Sequence, residues 1–103
     1  MLNPLHIINQ VFEMQGKATE LQVARQFERN FNRLLSIFEE EGYIVQDPTG
    51  EAYTDSRTDC EASISGQIGS KMIITRTLKP VIYQKKDNVV QLLQKAVVIA
   101  GNK

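Results

Sequence analysis

The chain has 103 residues, 42% of them apolar, with twelve basic and twelve acidic side chains. That suits one globular domain with a modest core and argues against disorder. No apolar run approaches the roughly 20 residues of a membrane span, and one cysteine with one histidine excludes an internal disulfide and a Cys/His zinc site.

The opening Met1-Leu2-Asn3-Pro4-Leu5-His6 has neither a basic stretch nor a small-residue cleavage site, so a signal peptide is not expected. These features predict a cytoplasmic protein without cofactor or metal. Charge is balanced overall but not along the chain. Residues 1–38 carry a net +1, residues 39–61 a net −7 and residues 62–103 a net +6. The basic part has no Arg-rich helix and no aromatic stacking platform, so nucleic-acid binding is not expected. An acidic loop and a basic sheet that neutralise each other, or that complement a protein partner, account for the asymmetry.

In chain order, Asn3 followed by Pro4 predicts an N-cap with proline at the first helical position. Leu5, Ile8, Val11 and Phe12 share a helical face, and Gly16 is expected to close this short helix. Thr19 and Gln22 have capping-box spacing, so a second helix is predicted to open there. Ala24, Phe27, Phe31, Leu34 and Phe38 follow at alternating steps of three and four, an a/d seam that Leu35 widens. Glu39-Glu40-Glu41-Gly42 closes the helix, with the glycine suited to the stop and three acids opposed to the helix dipole. A helix of about 23 residues cannot be covered by a first helix half as long. Its remaining apolar face packs on the chain's own sheet or on another copy.

From Tyr43 the pattern turns to strands. Tyr43-Ile44-Val45 is a short strand, and Asp47-Pro48-Thr49-Gly50 a turn. Residues 51–59 form a polar loop. Ala62 to Ser65 alternates, and Gly66 and Gly69 flank a turn. Met72 to Leu78 is a strand, Pro80 forces a bend or an edge, and Val81-Ile82-Tyr83 continues. Lys85-Lys86-Asp87-Asn88 is a hairpin turn. Residues 89–99 make a last strand pair or one long bent strand. The class is α+β: a helical region over 1–42, then a small antiparallel β-domain over 43–103.

The residues that could carry chemistry are few. Asp55, Asp59 and Glu61 place three carboxylates in seven residues, but Arg57 sits among them, and calcium-loop spacing is absent. Cys60 lies among acids, which raise a thiol pKa. His6 has no triad partner nearby. Gly66-Gln67-Ile68-Gly69-Ser70-Lys71 precedes a strand, whereas a phosphate-binding loop needs a helix. An enzyme is therefore not expected.

Leu34-Leu35-Ser36-Ile37-Phe38-Glu39-Glu40-Glu41-Gly42-Tyr43-Ile44-Val45 resembles the end of the bundle helix in GrpE, the nucleotide exchange factor of DnaK-type chaperones. Asp47-Pro48-Thr49-Gly50-Glu51-Ala52-Tyr53-Thr54-Asp55, then Glu61-Ala62, resembles that family's proline, glycine-glutamate, aromatic-aspartate and glutamate-alanine signature. Ile74 to Tyr83 and Val89 to Ala100 resemble its closing strands. The resemblance spans roughly residues 20–100 and rests on the order and spacing of short motifs. Departures stand within it. Cys60 replaces a histidine, Ile82 a glycine and Gln94-Lys95 an arginine-proline. A further arginine is Val90 or Gln91, depending on a one-residue gap. Segment 53–61 is longer than its counterpart, and the family's long N-terminal coiled coil has no equivalent in this sequence.

The resemblance implies a homodimer whose helical hairpins form a four-helix bundle along Ala24, Phe27, Phe31, Leu34 and Phe38. It also implies a β-domain that grips the nucleotide-binding domain of a DnaK-type chaperone and promotes ADP release. Tyr83, Gln91, Gln94 and Lys95 are the expected contacts, with Arg57 and Lys79 beside them. Two alternatives accompany this reading: a dimeric adaptor of the same shape with an unrelated protein partner, and a small enzyme or metal protein using Asp55, Asp59 and Glu61.

Overall fold

A computed structural model describes residues 2–67, 69 and 71–102. Ile68 and Ser70, within the expected glycine turn, lie outside the described residues, as do Met1 and Lys103. Helix α1 (Pro4–Glu20) starts as its sequence dictates, with the Asn3 side chain accepting from the Leu5 N–H at 3.0 Å and proline in the first turn. It does not stop at Gly16. A mid-helix glycine costs roughly 1 kcal/mol against alanine, and the extra turn buries Ala18, which offsets it. The helix ends one turn later in a Schellman motif. Gln22 takes a left-handed φ of 61°, its N–H reaching the Thr19 carbonyl and the Val23 N–H the Ala18 carbonyl.

The expected capping box is therefore corrected. The Thr19 hydroxyl donates to the Gln15 carbonyl one turn back, at 3.0 Å, inside the first helix. Helix α2 (Ala24–Glu40) is 17 residues long and follows Val23 with no side-chain cap. The two helices are thus equal in length, and they pack on each other through Val11, Ala18 and Phe31. Gly42 ends α2 as expected. Its φ is +91°, and a Cβ there would sit 2.6 Å from the Lys85 carbonyl oxygen.

Among the described residues seven strands follow: β1 (Tyr43–Gln46), β2 (Ala52–Tyr53), β3 (Cys60–Ser65), β4 (Met72–Lys79), β5 (Val81–Lys86), β6 (Val89–Gln94) and β7 (Ala96–Asn102). The expected single antiparallel sheet is two sheets. One has the order β1-β5-β6 and is antiparallel throughout. The other has the order β2-β4-β7-β3, and its β3 and β7 run parallel. Proline supplies the division. Pro80 lies fully buried between β4 and β5, has no N–H for a ladder, and marks where the chain leaves one sheet for the other. Lys95 marks the matching crossing between β6 and β7, which resolves residues 89–99 into two strands.

Two clusters form the core. Cys60, Ile74, Val81, Ala96 and Val98 pack between the sheets, with Tyr53, Ala62 and Tyr83 against them. Val11, Ala18 and Phe31 fill the helical hairpin, with Val23, Ala24, Leu34 and Phe38 around them. Among the described residues no helix is long and apolar enough to cross a membrane.

Candidate functional site

The acidic loop is built around its arginine. Arg57 donates from Nε and Nη2 to both Asp59 oxygens at 2.9 and 3.0 Å. Nη2 also reaches Glu51 at 3.1 Å, and Nη1 the Ala52 carbonyl at 3.1 Å. This bidentate pair holds the Asp59 carboxyl below its ordinary pKa, and the same partner raises that of the guanidinium. Burial pushes the adjacent Cys60 thiol up. Cys60 is a core residue whose side chain packs with Ile74 and Val98. Asp55 and Glu61 are exposed, and no three of His, Cys, Asp and Glu gather among the described residues. The arginine that broke the calcium pattern in the sequence is the loop's structural centre.

The turn before β2 is fastened by its own chemistry. Asp47 accepts from the Thr49 N–H at 3.0 Å and from its hydroxyl at 2.7 Å. Burial raises its pKa, but these bonds, with help from Thr77, outweigh it and leave the carboxyl below its ordinary value.

The expected partner-contact residues separate into engaged and available groups. The Gln94 amide donates to the Asn9 side chain and to the Pro80 carbonyl, both at 2.9 Å, and accepts from Asn9 at 2.8 Å. That amide ties α1 to the crossing between the sheets. Arg57 is turned into its own loop. Tyr83 is half-buried against the inter-sheet core. Gln91, Lys95 and Lys79 are exposed, Gln91 on β6, Lys95 just beyond it and Lys79 at the end of β4.

The helical seam also divides. Ala24, Phe31, Leu34 and Phe38 belong to the cluster inside the hairpin, where Phe31 is 6% exposed. Phe27 is 46% exposed, its ring centroid 6.2 Å from that of Phe31. A second apolar stripe escaped the sequence reading. Ile7 and Met14 on α1 and Leu21, the residue that caps its end, recur every seven residues and are all exposed, as is Ile37 on α2. The heptad spacing was visible, but an assumed helix end at Gly16 cut it.

Ile8, Phe12, Gln15 and Thr19 of α1, with Leu35 of α2, line a groove of about 780 Å3 against β4. At about 100° per residue, the Ile7–Met14–Leu21 stripe points roughly 130° away from the groove-lining residues of α1. On α2, by the same reckoning, Ile37 lies about 160° from the groove-lining Leu35 and Phe27 about 80°. The hairpin therefore carries two apolar sides, one toward the sheets and one outward.

No protein-family model, no curated protein and no solved structure matches this chain.

Proposed function

We propose that this chain is a GrpE-like co-chaperone that works by binding. Two copies pair their helical hairpins, and the β-unit of one presses on the nucleotide-binding domain of a DnaK-type chaperone. It favours the open state of that domain, and ADP leaves faster through a population shift. The observation that carries the reading is the outward apolar side of the hairpin. Ile7, Met14, Leu21, Phe27 and Ile37 stay exposed after Val11, Ala18 and Phe31 have filled the hairpin's own core. A hairpin finished inside and apolar outside is suited to a four-helix bundle. The order of the chain, helices first and a small β-unit after, agrees with the resemblance.

The adaptor reading has one observation in its favour. Arg57 and Gln94, two of the expected contacts, spend their donors within the chain. A grip on the chaperone then rests on Gln91, Lys95, Lys79 and the half-buried Tyr83.

The test is the release rate of a fluorescent ADP from the host's own DnaK-type chaperone. Acceleration that saturates with added protein, and that weakens in Gln91→Ala/Lys95→Ala, is the expected result. No acceleration, with a known exchange factor active on the same sample, would remove the exchange function and leave the adaptor.

A further inference from the structure

The β5–β6 hairpin ends one sheet, and among the described residues β6 pairs with β5 alone. Other edges are blunted in the usual ways. Strand β2 has two residues, β1 has four, and β3 carries Glu61. Strand β6 runs for six residues, Val89-Val90-Gln91-Leu92-Leu93-Gln94, without a charge or a proline. Val89 is 65% exposed, Val90 55% and Leu92 37%.

Turn geometry fixes which backbone groups face outward. Asp87 and Asn88 both have positive φ, 52° and 66°, the signature of a two-residue type I′ turn. The flanking pair Lys86 and Val89 then exchanges both hydrogen bonds, and Gln84 with Gln91 is the next such pair. The N–H and C=O groups of Val90 and Leu92 consequently point to the open edge. At Leu93 a bulge ends the regular register.

We infer that β6 is a self-pairing edge whose occupant is β6 of a second copy, antiparallel, with the two-fold axis at Gln91. Only the outward groups of Val90 and Leu92 are available, and they satisfy each other when Val90 of one copy lies opposite Leu92 of the other. That register uses the regular half of the strand and stops before the bulge. Neither copy carries a charged residue over Val89–Gln94, so no like charges come opposite each other along the seam. An antiparallel strand paired with itself obeys two-fold symmetry, so the contact is isologous and closed. It joins two three-stranded sheets into one of six. This contact is independent of the helical pairing proposed above, and it covers Gln91 and Lys95. Self-pairing and a grip on a chaperone therefore compete for one edge.

Cysteine crosslinking without any chaperone tests the register. At the axis, Gln91 faces its own copy in a pair without hydrogen bonds, with Cα atoms about 4.5 Å apart, within the about 4.4–6.8 Å that a disulfide spans. Gln91→Cys is expected to give a covalent dimer under mild oxidation, and Val89→Cys, which faces Leu93 of the other copy, is not. Adding Val90→Pro to Gln91→Cys removes an outward N–H while leaving the β5 ladder intact, and should abolish the crosslink. On the unmodified protein, amide exchange at Val90 and Leu92 should slow at least about tenfold between dilute and concentrated samples, with Gln91 unchanged. Phe27→Asp should leave the crosslink in place, which separates this contact from the helical one. Equal crosslinking of both cysteine variants would overturn the inference in favour of parallel stacking. Failure of Gln91→Cys to crosslink, or concentration-independent exchange at Val90 and Leu92, would also overturn it.

Discussion

Single side chains decide how the acidic loop responds to pH. Asp59 titrates below its ordinary value in the folded chain because Arg57 bonds both its oxygens, whereas an unfolded aspartate titrates near 3.9. The folded state binds its proton less readily, so the stabilisation is complete above the unfolded value. It is lost as pH falls through the folded one. Asp47, held by Thr49, works in the same direction. Urea unfolding should therefore show a midpoint that drops below about pH 4, and Asp59→Asn should start lower and drop less. A variant gap that widens on acidification would contradict the assignment. This pair was half legible in the sequence. Arg57 among acids was plain, but its bidentate seat on Asp59 depends on how residues 51–60 fold back, which no spacing rule encodes.

At the scale of elements, the Asn9–Gln94 pair is the one side-chain to side-chain hydrogen-bonded link between α1 and the strands among the described residues. It is a reciprocal amide pair across 85 positions of sequence. A double-mutant cycle with Asn9→Ala and Gln94→Ala should give a coupling of about 1–2 kcal/mol, read from urea midpoints. Additive losses would mean the amides exchange for water at no cost. Which elements form was mostly legible. The Asn3-Pro4 start, the Gly42 stop, the Asp87-Asn88 turn and the break at Pro80 all follow from local chemistry. The end of α1 was not, because a left-handed glutamine at Gln22 replaces the glycine that usually marks such a place. The parallel pairing of β3 with β7 was hidden too, since short apolar runs look alike in either direction.

For the whole molecule, the two phenylalanines one turn apart on α2 should part company. Phe31→Asp places a charge inside the hairpin's own core and should unfold the chain by circular dichroism. Phe27→Asp lies outside that core and should leave a folded chain whose helical association is weakened, read by sedimentation equilibrium. A Phe27→Asp variant that keeps its full association would take the outward side of the hairpin out of the bundle. The sequence showed one seam where the molecule has two sides, because periodicity identifies apolar faces but not what each one meets. The placement of β7 has a separate consequence, for the order of events in folding. It sits between β4 and β3, inside its sheet, and contributes Ala96 and Val98 to the inter-sheet core. It is also the last in chain order of the strands among the described residues. The helical hairpin and the β5–β6 hairpin form from neighbouring residues and need not wait. The four-stranded sheet has no centre without residues 96–102, because β3 and β4 each pair with β7 and not with one another. Closing that sheet requires pairing over long sequence separations, which makes the step slow relative to the hairpins.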